Sequence, residues 1–351
     1  MKKTVFIFKN DEIGDFCLWL PFANRLKKLY PNYKIILGVK KELKEFAENF
    51  SYFDEIKTIK SKSGLYGLFF CIFSNLSIIF RKYDLVLNAV PGPKCTDNMI
   101  IVFFMYAKQK KIFYIQDFLK NIPYKYTLRF FLMRKNIYHS PWHSIFDFNN
   151  TILNTITENI DKVFMKESFE HIAEKGNGLF IVFAIGSSSL QRNWPIKNFI
   201  FITKQILQKY PDIRILLAGT KTEWNSAEKI FQCQKQQITN LCGKTSLNEI
   251  ISYQKKALFT LSNETSLAHT SALLRKKTFI LAGCGHLGWF VPYPKEYTHV
   301  KTFYKDCKYK NCNWICHYKK RESTFPCIQS ISPKSVWLEI EKYLNSTLEK
   351  K

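Results

Sequence analysis

The sequence predicts an α/β protein made of two doubly wound parallel-sheet domains. Three observations carry that expectation. Short apolar runs of strand length alternate with longer stretches whose apolar residues recur at helical spacing. The alternation starts twice, at Thr4 and again near residue 178. The chain has 351 residues, and its 46% hydrophobic content with 31 Phe is ample for two cores.

The first half reads in order. "TVFIF" (4–8) is a strand, "KNDEIG" a loop, and "DFCLWLPFANRLKKLY" (15–30) a helix with a polar far side. "YKIILGV" (33–39) is the second strand, "KELKEFAENF" a helix and "FDEIKTI" (53–59) a further strand. "GLYGLFFCIFSNLSIIF" (64–80) carries no charge over 17 residues, at the lower limit for a membrane span. Asn75, the serines and two glycines argue instead for a buried or interfacial helix. "YDLVLNAV" (83–90) repeats the strand pattern. Residues 108–135 hold eight basic residues against one acid, Asp117, interleaved with aromatics. That stretch is either a solvated helical face or a patch for an anionic acceptor or membrane surface.

The second half begins with the strand "GLFIVFAIG" (178–186), the helix "PIKNFIFITKQILQKY" (195–210) and the strand "IRILLAG" (213–219). "TEWNSAEKIFQCQ" and "SLNEIISYQKKA" (246–257) are helical, "LFTLS" (258–262) is a strand, "ETSLAHTSALLRK" a helix and "TFILAG" (278–283) a strand. "SPKSVWLEIEKYL" (332–344) is a helix capped by Ser332 with Pro333 at its first position. The expected boundaries are 1–165 and 175–330, with a terminal helix in 332–351 that can pack back on the first half.

The formal charge is +25, from 53 Lys and Arg against 28 Asp and Glu. Such a surface suits anionic partners, although a Lys-rich composition alone produces the same excess. No recognition-helix, zinc-finger or RNP pattern is present, so nucleic acid is not an expected partner. The N-terminal apolar run is five residues and charge follows at once, which predicts a cytoplasmic chain without a signal peptide. Of ten cysteines, four cluster late with the spacing Cys307-x4-Cys312-x3-Cys316-x10-Cys327. They are free thiols, a disulfide, or ligands of a structural zinc, with no catalytic metal implied.

Four loops at strand ends carry chemistry. Gly14 and Asp15 stand where the first strand meets its helix, and Asp15 is either a helix cap or a general base. "AIGSSSLQRNWP" (184–195) brings Ser187, Ser188 and Arg192 before a helix, a donor set that suits a diphosphate. "AGTKTEWN" places Glu223 four residues past a strand-end glycine, where a carboxylate can accept from ribose hydroxyls. "SNETSLAHTSAL" (262–273) sets Glu264, Thr265 and Ser266 at a helix start, where unpaired N–H groups attract anions. His269 lies one turn on, lining a pocket or packed as a satisfied core histidine.

In that order and spacing, these loops, with "YFDEIKTI", "YDLVLNAV" and "NLCGKTSLNEI", resemble glycosyltransferase family 9, the ADP-heptose:lipopolysaccharide heptosyltransferase-like proteins of GT-B fold. The resemblance covers nearly the whole chain. It implies two Rossmann-like domains facing across a cleft, with donor on the second and acceptor on the first. The implied reaction is a metal-independent, inverting sugar transfer from a nucleotide-sugar, an ADP-sugar being favoured. The implied acceptor is a lipopolysaccharide core or other lipid-linked glycan on the inner face of the cytoplasmic membrane. It puts Asp15 in the place of the base, Arg192, Ser187, Ser188, Thr265 and Ser266 on the diphosphate, Glu223 on the ribose and Thr245 beside the nucleobase. The chain departs from the family pattern Asp-Thr-Gly-(Leu or Pro)-x-His, reading Glu264-Thr265-Ser266-Leu267-Ala268-His269, and it has Arg192 where heptosyltransferases often have Lys. Those departures bear on which sugar is carried.

Two other classes compete with this reading. A Rossmann-type nucleotide-sugar epimerase needs G-x-G-x-x-G after the first strand, where this chain has "KNDEIGD". A degenerate relative that binds sugar nucleotide or anionic membrane without transfer remains compatible with Ser266 in place of glycine.

Overall fold

The computed structural model describes residues 2–60, 65–90, 94–115, 137–140, 144–156, 174–176, 178–318 and 324–349. The chain divides into two compact units, Met1–Glu167 and Ser168–Lys351.

The first unit runs β1 (Thr4–Phe8), α1 (Ile13–Leu29), β2 (Lys34–Val39), α2 (Lys44–Ala47), β3 (Glu55–Thr58), α3 (Leu65–Phe73), α4 (Leu76–Ile79), β4 (Lys82–Asn88), α5 (Lys94–Phe104), β5 (Tyr106–Ile115), β6 (Ile137–Ser140) and α6 (Ile145–Ile156). Its strands form a parallel sheet of order β3-β2-β1-β4-β5-β6. β1 is central because it is apolar on both faces: Val5, Phe6, Ile7 and Phe8 are all buried. The order reverses between β1 and β4, so the loop leaving β1 stands at the topological switch point where such sheets bind ligands.

Two expectations change here. The stretch 64–80 is not one helix. Asn75 is buried between α3 and α4, and its Nδ2 donates to Lys60 O at 2.8 Å and Cys71 O at 2.7 Å. A carboxamide fixed in that way ends a helix, and no described helix is long and apolar enough to cross a membrane. The helical reading of 108–135 is also corrected at its start. Residues 106–115 are β5, paired in parallel with β4 and β6. The rest of that basic stretch, 116–135, lies outside the described residues.

The second unit runs β7 (Phe180–Ala184), α7 (Ile196–Lys209), β8 (Arg214–Ala218), α8 (Trp224–Phe231), β9 (Ile238–Asn240), α9 (Leu247–Lys256), β10 (Phe259–Asn263), α10 (Ser266–Leu273), β11 (Lys277–Leu281), β12 (Val300–Phe303), α11 (Pro326–Gln329) and α12 (Pro333–Leu348). Its sheet order is β12-β11-β10-β7-β8-β9, the first unit's topology repeated. The edge strands β9 and β12 have three and four residues, too few for a periodic signal in sequence. α12 starts as expected, with Ser332 accepting from Ser335 N and Pro333 in the first turn. It belongs to the second unit. Val336, Ile340 and Leu344 enter that core, Lys209 pairs with Glu341 at 2.7 Å, and the Tyr343 hydroxyl donates to Leu258 O at 2.9 Å.

Candidate active site

In the first unit the loop leaving β1 buries an amine against the carboxylate of Asp11, close enough to Asp15 for their charges to interact. Lys9 is fully buried. Its Nζ lies 2.6 Å from Asp11 Oδ2 and donates to Ala89 O at 3.3 Å. Asp11 Oδ1 is buried with no hydrogen-bond partner among the described residues. Behind the loop, Asn10 and Asn98 exchange hydrogen bonds at 3.0 and 2.7 Å, and Asn98 reaches Asn88 Oδ1 at 3.1 Å. That network fixes the loop's path.

Gly14 and Asp15 fall in the first turn of α1, whose cap is Glu12. Asp15 is therefore not the helix cap, one of its two sequence readings. Its carboxyl is half-buried and is lifted to about 7. The chief cause is loss of water, followed by the neighbouring charge of Asp11, while Lys9 pulls the other way. A carboxylate poised there is suited to proton transfer near neutral pH. Lys9 and Asp11, which shape this environment, were missed in sequence. A lysine that ends a buried strand and an acid two residues on were the available signal.

In the second unit the loop leaving β7 holds a guanidinium. Arg192 ends a short 3-10 turn, Leu190–Arg192, and its Nη1 donates to Ser188 Oγ at 2.7 Å. Its Nη2 stands 3.9 Å from Glu264 Oε1, and its guanidinium carbon lies 4.1 Å from the centre of the Trp314 ring. Arg192 Nε is buried with no partner among the described residues. An unanswered donor on a partly desolvated cation makes the site receptive to an anion.

Glu264 and Thr265 follow β10 directly, and Thr265 caps α10 without a side-chain hydrogen bond. Thr265 and Ser266 are half-buried, beside the helix's first turn. Glu264 is buried, and its carboxyl is raised to about 7 by loss of water, opposed by Arg192. His269 is buried in the same helix. Its Nδ1 is 2.7 Å from the Tyr293 hydroxyl and the two rings stack, so it is a packed, partnered histidine. Burial, and Arg192 to a lesser degree, lower it to about 4.

Asn263 does not cap α10, whose cap is Thr265. It instead ends β10 and ties the serine loop down: its Oδ1 accepts from Trp194 N at 2.9 Å and its Nδ2 donates to Ile185 O at 2.6 Å. Ser187 donates to Ser189 O at 2.8 Å within that loop. Glu223 forms a capping box with Thr220. Its Oε2 accepts from Thr220 N and Oγ1, both at 2.7 Å, and its Oε1 from Thr222 Oγ1 at 2.8 Å. It lies under Gly186, where any Cβ would stand 2.5 Å from the Glu223 Cδ. Glu223 thus supports the serine loop, and its carboxylate is engaged by its own turn. Thr245 donates to Leu241 O at 3.4 Å, and neighbouring Lys244 lies 4.5 Å over the Trp224 ring.

Trp314 was missed in sequence. It has a left-handed backbone, φ 62°, uncommon for a bulky residue. Its ring fills the space that Cβ atoms at Gly283 and Gly285 would need, and its Nε1 donates to His286 Nδ1 at 3.3 Å. Two glycines inside "AGCG" were the only hint. Cys307, Cys312, Cys316 and Cys327 are free, and with Cys284 and His317 they line one cavity. The zinc site suggested by their spacing is not assembled: no three such side chains are placed to hold a metal ion among the described residues.

Comparison with known proteins bears on this geometry. Residues 146–317 match the family model "Glycosyltransferase family 9 (heptosyltransferase)". No curated protein matches the chain. Among solved structures, the glycosyl transferase family 9 protein from Veillonella parvula DSM 2008 is 14% identical with a TM-score of 0.72, covering 99% of both chains. E. coli ADP-heptose lps heptosyltransferase II is 13% identical with a TM-score of 0.68, covering 98% of this chain and 99% of that one. E. coli heptosyltransferase WaaC with ADP is 15% identical with a TM-score of 0.68, covering 97% of this chain and 99% of that one. At such identities the structural likeness establishes the fold, which is GT-B. The match to glycosyltransferase family 9 spans just under half of the chain, and the likeness in fold to solved members of that family extends over nearly all of it.

Proposed function

We propose that the protein transfers a sugar, heptose or another, from a nucleotide-sugar to a lipopolysaccharide core or other lipid-linked surface glycan, with inversion and without a catalytic metal. The observation that carries the reading is Arg192: a guanidinium fixed by Ser188 and Trp314, with a buried Nε lacking a partner. Arg192, Ser187, Ser188, Thr265 and Ser266 would hold the donor diphosphate and stabilise its charge as the sugar leaves. Glu223 and the Lys244–Thr245 turn would border the ribose and base. Asp15 would take the proton of the acceptor hydroxyl as its oxygen bonds to the anomeric carbon and the bond to the diphosphate breaks.

ADP is the favoured donor nucleotide, supported by its presence in the WaaC structure. A lipid-linked acceptor also places the protein at the inner face of the cytoplasmic membrane. The test is a thermal shift series with ADP-, GDP-, UDP- and dTDP-sugars, since a ligand that prefers the folded state raises the midpoint. The ADP-sugar should give the largest rise. Arg192→Ala should weaken binding by about 10–100-fold, the range for hydrogen bonds to charged groups. Equal binding by Arg192→Ala and wild type would remove Arg192 from the diphosphate.

A further inference from the structure

The helix layer of α3, α4 and α5 is apolar on two sides. Toward the sheet, Cys71, Ile78, Ile79, Ile101 and Met105 join Phe6 and Val86 in one core. Away from it, Phe69, Phe73 and Phe80 are 60%, 67% and 80% exposed, and Phe103 and Phe104 are 44% and 49% exposed. Phe69 and Phe73 lie one turn apart on α3, whose sequence LYGLFFCIF has no charge. A surface helix normally turns polar residues outward, and a cluster of exposed rings marks a contact surface.

One cation is tied to this layer and two more stand on the strands β4 and β5 beside it. Lys110 Nζ donates to Phe103 O at 3.1 Å, and Lys82 Nζ stands 5.7 Å from the centre of the exposed Tyr106 ring. Lys108 holds Asp84 at 2.7 Å while its side chain stays 75% exposed. Arg81 directly follows Phe80. Nine residues of helix span about 14 Å, under half of a roughly 30 Å hydrocarbon core, so α3 can lie in a bilayer surface and cannot cross one.

We propose that the outer side of α3, α4 and α5 docks on an anionic bilayer. Phe69, Phe73, Phe80, Phe103 and Phe104 enter the boundary between headgroups and acyl chains, and Lys82, Lys108 and Lys110 meet lipid phosphates. Charge selects this occupant over a second copy of the chain: a self-contact would bring these lysines against one another, whereas a lipid surface complements them. The inference rests on the reading that the acceptor is carried on a lipid.

The test is co-sedimentation of the full chain with phosphatidylcholine vesicles, with and without phosphatidylglycerol. Wild type should bind the mixed vesicles and release as salt rises. Phe69→Ser/Phe73→Ser/Phe80→Ser, all at exposed positions, should keep the wild-type melting temperature and bind at least about tenfold more weakly. Lys82→Ala/Lys110→Ala should lose the preference for phosphatidylglycerol. Equal sedimentation of wild type and the triple variant overturns the proposal. So does a wild-type dimer, without vesicles, that the triple variant splits. Sugar transfer to a delipidated acceptor separates the two readings. If docking alone is wrong, wild type still transfers; if the transfer reading is wrong, no acceptor is modified whatever the vesicles show.

Discussion

The first turn of α1 and the turn after β10 each desolvate a carboxylate and lift it to about 7, for the same first reason, yet their neighbours differ. Asp15 has Asp11 and Glu12 nearby, so surrounding acids add to the effect of lost water and Lys9 only partly offsets them. Glu264 has Arg192, which works against the shift. One topology, repeated, therefore presents a cluster of acids in the first unit and a guanidinium with hydroxyls in the second. The sheet fixes where a loop can act, and the few residues in the loop decide whether it presents clustered acids or a guanidinium with hydroxyls.

The largest effect that can break this comparison is on transfer itself. Asp15→Asn keeps the shape and removes the carboxylate proposed as base, and transfer should fall by about 10²–10⁴-fold with nucleotide binding unchanged. In wild type, kcat should rise with pH and level off above about 7, where Asp15 has lost its proton. Full activity in Asp15→Asn would show that this cluster of acids has another purpose.

Stability comes next. Lys9→Met leaves Asp11 buried without its cation, and unfolding free energy should drop by about 3–5 kcal/mol. Denaturant unfolding measures this, and Lys9→Met/Asp11→Leu should recover part of it. A drop confined to the first unit is the expected pattern. No drop would mean that the buried pair has little part in holding the loop.

The smallest effect sharpens the contrast between the two acids. Glu264 is neutral below about 7 and anionic above it. Raising the pH through that point adds negative charge beside Arg192 and should weaken nucleotide diphosphate binding a few fold, on the order of 1 kcal/mol. Glu264→Gln should flatten the dependence in titration calorimetry. The two acids thus predict opposite trends over one pH window: turnover rises while donor affinity falls. A donor affinity that ignores pH in wild type would place Glu264 away from the diphosphate.

Periodicity and loop chemistry by themselves determined the twin α/β repeats, the central strands from "TVFIF" and "GLFIVFAIG", and the positions of Asp15, Arg192 and Glu264 at strand ends. These follow from neighbours along the chain. Only the tertiary structure decided that Asn263 ties down the serine loop, that Glu223 lies under Gly186, and that Trp314 lies across Arg192. It also made 106–115 a strand, since that segment lies between β4 and β6 in the sheet. Each of these depends on residues far apart in sequence meeting in space. A hydrogen bond or a ring face chooses its partner by distance, and spacing along the chain does not contain that distance.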